Sequence, residues 1–356
     1  MIAIRRKEKK VVAIGRVRIG GGHPLAVQSM TKTKTSDIPR TVKQIKRMHK
    51  AGCEIVRLAV VNKNDAESLE VIKKSVNIPI IADIHFDYRL ALKAIDAGVD
   101  KIRINPGNIG DSWKMEEVIM KAKDHGIPIR IGINAGSLPK KLMARYRHPT
   151  PEAMVETLEA TLKIFRKKNF NDIVISAKGT GVIDTISAYK TIHRAFEYPL
   201  HIGITEAGLL FNGGIRSGVG LGILLNNGVG DTIRVSLTAD PVYEVVAAYE
   251  ILNALNLRQK GPVLISCPTC GRCEVDLFKL ASAVEKSLAK YDRFMKVAVM
   301  GCVVNGPGEA SEADFGIACG KGIGAIFMKG REVKRVKEGK LIDELLEVID
   351  ANTDNR

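Results

Sequence analysis

Five of the six cysteines fall between positions 267 and 319. Cys267-Pro-Thr-Cys270 sets two thiols on one turn, a spacing that lets both grip one metal centre. Further ligands must come from elsewhere in the fold, and Gly301-Cys302 and the loop Asn305-Gly-Pro-Gly-Glu309 follow downstream. The prolines and glycines suit tight loops whose backbone N–H groups can hydrogen-bond cluster sulfurs. Spacing alone fits structural zinc as well as an iron–sulfur cluster, and it leaves Cys273 a reasonable third ligand. Cys53 reads as a small buried hydrophobe and Cys319 as a non-ligand. Disulfides are not expected. The charged start, Met-Ile-Ala-Ile-Arg-Arg-Lys, leads into no apolar h-region. No apolar run approaches the roughly 18 residues of a membrane span. The chain therefore reads as soluble and cytoplasmic, where thiols stay reduced.

A second set of chemical residues lies in apolar, β-branched runs. Successive strand residues point to opposite faces, so residues two apart share a face. Asp83 and His85 flank Ile84. Arg103 and Asn105 flank Ile104. Arg130 and Asn134 are in phase across Ile131 and Ile133. Ser176 and Lys178 flank Ala177, Arg234 and Ser236 flank Val235, and Arg57 lies in Ile-Val-Arg-Leu-Ala. Glu206 is read in phase with Ile204. A cation inside an apolar strand is costly unless paired. Arg57, Arg103, Arg130, Lys178 and Arg234 at equivalent places on five strands make a site for a polyanion, with Arg suited to bidentate phosphate contacts. Asp83, His85 and Glu206 are the candidate proton-transfer and polarising groups. The glycines of Asn212–Gly222 fit either phosphate binding or close helix packing.

The elements that must position these residues repeat one unit. The runs 26–30, 54–60, 79–85, 101–105, 128–134, 172–178, 200–206 and 231–236 alternate with amphipathic helical stretches such as 40–51 and 150–168. Eight βα units predict a (β/α)8 TIM barrel over residues 1–257, of class α/β, with chemistry at the C-terminal ends of its strands. Residues 11–19, followed by Gly20-Gly-Gly22, predict a hairpin closing the barrel floor. After Gly261-Pro262 the rhythm changes. Strands at 263–266, 296–300, 325–329 and 332–336, with helices at 276–291 and 340–349, predict a small α+β domain over 262–356 built around the metal loops.

The chain has 356 residues, enough for two domains, and a net charge of +16. That charge needs an anionic partner: a metabolite, an acidic protein or nucleic acid. Aromatic residues are only 5%, so base-stacking platforms are scarce and nucleic acid is disfavoured. The alternative kept open is an iron–sulfur RNA-binding or RNA-modifying protein.

Taken together, the stretches Val27–Thr31, Ala82–Phe86, Arg103–Gly110, Arg130–Ser137, Ile204–Gly208, Gly230–Ser236, Cys267–Cys270 and Met300–Glu309 resemble the 4-hydroxy-3-methylbut-2-enyl diphosphate synthase (IspG/GcpE) family over nearly the whole chain. No insertion separates the two domains, as in the shorter bacterial form. The resemblance implies a barrel plus a small iron–sulfur domain related to sulfite reductase modules. It implies a 4Fe–4S cluster held by Cys267, Cys270, Cys302 and Glu309, where a carboxylate is a harder and more displaceable ligand than a thiolate. It implies reductive opening and dehydration of 2-C-methylerythritol 2,4-cyclodiphosphate in isoprenoid biosynthesis, with two electrons from an acidic donor such as ferredoxin or flavodoxin. The family's diphosphate-binding positions fall on Arg57, Arg103, Arg130, Lys178, Arg234 and Ser236. Its polar residues near the reacting carbons fall on Asp83, His85, Asn134 and Glu206. The family usually has no cysteine where Cys273 stands.

A head-to-tail homodimer is expected on geometric grounds. The helix after the eighth strand returns the chain to the floor of the barrel. The cluster domain begins within about ten residues of that point, a reach too short to round the wall at ~1.5 Å per helical residue. A two-fold partner brings each cluster to the other copy's mouth.

Overall fold

The computed structural model describes residues 4, 6–179, 181–205, 207–302, 308 and 313–353. Glu206 and Glu309, both expected site residues, lie outside the described residues. The chain divides into two compact units, Met1–Arg258 and Gln259–Arg356.

In the first unit a parallel sheet runs through β3 (Ala26–Met30), β4 (Ile55–Ala59), β5 (Ile80–Ile84), β6 (Lys101–Ile104), β7 (Ile129–Asn134), β8 (Ile173–Lys178), β9 (His201–Ile202) and β10 (Thr232–Ile233). β10 pairs with β3, and an Ile175–Leu200 bridge links β8 to the start of β9. The ring of eight strands is thus a TIM-like α/β barrel. β1 (Val12–Ile14) and β2 (Val17–Ile19) form the expected antiparallel hairpin. Val12, Ile14 and Ile19 pack on Ala26, Ile55, Ile81 and Val174, which face inward at the strands' N-terminal ends, and so plug the floor. Gly15 turns the hairpin at φ +52°, and a Cβ there would lie 2.6 Å from the Asp100 carboxylate.

Local chemistry explains the outer helices. α1 (Ile38–Lys50) starts at Asp37, whose carboxylate accepts the Arg40 N–H at 3.3 Å, with proline in the first turn. It buries Thr41, Ile45 and Met48 on one stripe. α9 (Pro241–Ala254) starts at Asp240 in the same way and runs back to the floor. There Arg258 donates to the Leu25 carbonyl at 2.6 Å and meets Glu54 at 3.3 Å, so the chain leaves the barrel at its floor end. The glycine-rich segment is helical, α8 (Leu210–Asn226), and is no phosphate loop. A Cβ on Gly213 or Gly220 would press on Leu237 or Ile204, so close helix packing explains those two glycines.

The second unit is a five-stranded sheet in the order β11 (Pro262–Ser266), β12 (Met295–Met300), β13 (Phe315–Cys319), β14 (Ile323–Met328), β15 (Arg331–Lys337). The first three strands are parallel and the last two antiparallel. Helices α10 (Leu277–Leu288) and Leu341–Thr353 bury Val284, Leu288, Leu345 and Ile349 against Val297, Val299 and Ile317. β13 is a strand beyond those expected, and Cys319 lies wholly buried at its end.

Candidate active site

The parallel ladder aligns the inward residues of β4 to β8. Arg57 pairs with Ile81, Asp83 with Arg103, Arg103 with Arg130, and Asn134 with Lys178. A cavity of about 190 Å³ opens at the C-terminal strand ends. Arg57, Asp83, His85, Arg103, Arg130, Asn134, Lys178, Arg234 and Ser236 all line it. The structure therefore gathers every described barrel candidate in one place.

The cations are held by two buried carboxylates. Asp83 lies 3.2 Å from Arg103, 3.7 Å from Arg57 and 3.6 Å from the His85 ring. Burial alone would raise the Asp83 carboxyl. Arg57, the His85 contact, Arg103 and Arg130 outweigh it and hold the group well below the usual carboxylate range. Burial lowers Arg57 to about 10, with Asp83 opposing and Arg234 and Arg103 reinforcing the shift. Arg103 Nη1 meets His85 Nε2 at 2.7 Å. Glu244 of α9 holds Arg234 at 3.3 Å and Lys32 at 3.0 Å, and accepts from Ser29 Oγ at 2.8 Å and the Leu237 N–H at 3.1 Å.

Arg130 differs from these. It is 1% exposed, and among the described residues its Nε and Nη1 find no partner and no carboxylate reaches it within salt-bridge distance. Burial, Arg57 and Arg103 push its pKa well below the ordinary arginine value. An orphaned, desolvated guanidinium facing a cavity is a strong anion acceptor, since a ligand oxygen satisfies donors that otherwise remain unpaired. Gly132 makes room for this array: a Cβ there would lie 2.5 Å from Arg103 Nε.

Glu206, read in phase with Ile204, lies outside the described residues. Ile204 packs on Gly220 of α8, away from the cavity, whereas His201, Gly203 and Thr205 line it. β9 is only two residues long, too short for period-two alternation to assign faces by itself. The sequence reading also passed over Tyr189, whose hydroxyl donates to the His201 carbonyl at 2.7 Å, and over Glu244. Asn105 turns to Ser137 Oγ at 3.0 Å and the Gly107 N–H at 3.1 Å instead of the cavity.

In the second unit, Cys267 follows β11 and Cys302 follows the adjacent parallel strand β12. The Cys267 N–H donates to the Val299 carbonyl at 3.3 Å, and the Thr269 N–H to Cys267 Sγ at 3.4 Å. Cys270 is exposed, and its thiol is lowered first by the Arg272 backbone N–H and also by the Arg272 side chain. An N–H aimed at sulfur and a thiol shifted toward thiolate are what a cluster-binding turn requires. Among the described residues no three of His, Cys, Asp and Glu converge on one ion. A four-iron cube is gripped at separate irons, so its ligands stand apart. The Cys273 thiol donates to the Val275 carbonyl at 3.3 Å and packs over Gly301, beside Cys302. Cys319 is raised to about 12 by burial, with Glu338 and Cys273 adding to the shift, as befits a core thiol.

Comparisons with known proteins agree with this geometry. The GcpE TIM-barrel domain model matches residues 9–249, and the GcpE protein C-terminal domain model matches residues 263–351. The 4-hydroxy-3-methylbut-2-en-1-yl diphosphate synthase (flavodoxin) of Thermodesulfovibrio yellowstonii is 55% identical over 346 residues, covering 97% of this chain and 99% of that protein. The protein of the same name from Geobacter sulfurreducens is 53% identical over 341 residues, covering 96% and 97%. Among solved structures, wild-type Plasmodium falciparum HPPK-DHPS aligns with a TM-score of 0.52 at 15% identity, covering 70% of this chain and 50% of that one, a likeness of barrel fold alone. With both of its domains matched, this chain belongs to the GcpE family.

Proposed function

We propose that this chain is a 4-hydroxy-3-methylbut-2-enyl diphosphate synthase, an enzyme that reductively opens and dehydrates 2-C-methylerythritol 2,4-cyclodiphosphate. The observation that carries the reading is the ring of four arginines and Lys178 around one small cavity at the barrel mouth. Arg57, Arg103, Arg130, Lys178, Arg234 and Ser236 hold the diphosphate. Each charge-assisted contact contributes about 1.5–3 kcal/mol. The diphosphate gains charge as its ester oxygen leaves carbon, so these preorganised donors stabilise the transition state more than the ground state. Asp83 keeps Arg57, Arg103 and His85 in place. His85 and Asn134 face the reacting carbons, and Glu206 supplies a proton to the departing hydroxyl.

Cys267, Cys270, Cys302 and Glu309 would hold a 4Fe–4S cluster, which when bound supplies the two electrons one at a time. An acidic carrier such as flavodoxin, the donor in the relatives' names, suits the net charge of +16. The thiols need a reducing compartment, which places the chain in the cytoplasm; no helix among the described residues is long and apolar enough to cross a membrane.

The working unit is a homodimer in which the cluster domain of each copy serves the other copy's mouth. The exit of the chain at the barrel floor supports this. So does α8, which exposes Phe211 (77%), Ile215 (52%) and Val219 (51%) on one stripe. Gly214, Gly218 and Gly222 beside them have open space where a Cβ would be. Arg216, the one charge on this helix, stays exposed and donates to the Ala207 carbonyl at 2.9 Å. The glycines let the helices of two copies approach closely.

The test is electron paramagnetic resonance of the anaerobically reconstituted, reduced protein with and without the cyclodiphosphate. The substrate should change the cluster signal. An unchanged spectrum in protein that calorimetry shows to be saturated with substrate would contradict the reading.

A further inference from the structure

Lys101 opens β6 and is wholly buried, yet nothing in the proposed reaction uses it. It shares a face with Arg103 two residues on, so its side chain enters the barrel one step below the cavity. Its Nζ has no hydrogen-bond partner among the described residues. Its ladder partner on β5 is Ile81, which offers no acceptor. The charges it feels are two guanidiniums, Arg130 on β7 and Arg57 on β4. On β9 the His201 ring is itself exposed to the field of Lys101, and its Nδ1 is engaged with Thr232 Oγ1 at 2.7 Å. Asp83, the carboxylate above on β5, is already shared by Arg57, Arg103 and His85. Wholly buried, an ammonium in this position would have neither acceptor nor counter-charge among the described residues, which favours the neutral amine in the ligand-free barrel. Burial, then Arg130 and Arg57, drive the group well below the ordinary lysine value.

We propose that Lys101 is a binding-linked proton acceptor, which takes one proton from solvent when a diphosphate anion enters the cavity above it. The balance is simple: one proton moves to Nζ, and no substrate bond changes. The anion offsets the field of the same two guanidiniums that keep the amine neutral, so binding and protonation reinforce each other. This rests on the reading of the cavity as a diphosphate site.

The experiment is calorimetric titration of the cluster-loaded protein, without reductant, with the cyclodiphosphate in buffers of different ionisation heat at mildly alkaline pH. Each phosphate of the ring has one ester and one anhydride bond and a single, strongly acidic ionised oxygen, so any proton exchange there belongs to the protein. Wild type should take up close to one proton per site, and its affinity should fall by up to tenfold per pH unit rise. Lys101→Met and Lys101→Gln, checked for folding by circular dichroism, should bind without buffer-dependent heat, while His201→Asn keeps it. Wild-type binding without uptake overturns the proposal and leaves the diphosphate reading standing. Uptake undiminished in a folded Lys101 variant, or lost in His201→Asn, also overturns it. Should both Lys101 variants fail to fold, uptake persisting in His201→Asn supports the assignment. No binding at all would remove the diphosphate reading, and this proposal with it.

Discussion

Replacing Arg130 by methionine should weaken anion binding while leaving the ligand-free protein as stable as before, or more so. The reasoning follows from its partners. Arg57 and Arg103 share Asp83 at 3.7 and 3.2 Å, and Arg234 has Glu244 at 3.3 Å. Arg130, 1% exposed, has two unpaired nitrogens and sits in the field of Arg57 and Arg103. Its removal deletes an uncompensated buried charge, and replacing buried charges by apolar side chains of similar volume is often neutral or stabilising by about 1–4 kcal/mol. The diphosphate, in contrast, loses a charge-assisted contact of about 1.5–3 kcal/mol, or roughly 10–150-fold in affinity. Arg234→Met should show the same affinity loss but lower stability, because Glu244 stays buried with only Lys32 as its cation. Urea unfolding of the ligand-free proteins and calorimetric titration with the cyclodiphosphate read both quantities. If Arg130→Met lowered ligand-free stability by more than about 2 kcal/mol and left affinity intact, the guanidinium would be a structural group.

Other outcomes are equally specific. The Asp83 carboxyl is depressed in the folded state, so its stabilisation is present above the ordinary value of about 3.9 and is lost as pH falls below it. The urea midpoint of wild type should therefore fall more steeply below about pH 4 than that of Asp83→Asn. Cys273→Ser should keep iron and labile sulfide near wild-type levels, because its thiol faces Val275 and Gly301. Glu309→Ala should keep part of the cluster and lose most turnover, and the reverse pattern in these two variants would reassign the ligand. Phe211→Lys with Ile215→Lys should give a monomer by light scattering that still binds the cyclodiphosphate; an unchanged dimer would place the interface elsewhere.

The barrel is legible in the sequence because its signal is local. Apolar β-branched runs end in polar residues two apart, and β4 to β8 are long enough for that parity to select one face. Parity stops working where a strand is short: β9 has two residues, and Ile204 faces α8 instead of the cavity. β13 is hidden for a related reason. Phe315–Cys319 is buried on both faces and carries a glycine, so it shows no alternation. Lys101 and Glu244 look ordinary in sequence, a lysine at a strand start and an acid in a helix's first turn. Only the fold shows that Lys101 is sealed inside the barrel and that Glu244 is buried under α9. The cysteine spacing points to a metal-binding turn, and the expectation of an iron–sulfur cluster there rests on resemblance and not on spacing.

The most direct measurement of the central claim is turnover. The anaerobically reconstituted chain, given the cyclodiphosphate and chemically reduced flavodoxin, should form 4-hydroxy-3-methylbut-2-enyl diphosphate, followed by phosphorus magnetic resonance. Two electrons should be consumed per product, and none should form without reductant. Unchanged cyclodiphosphate in the presence of an intact, reduced cluster, or product formed with no reductant at all, would contradict the account.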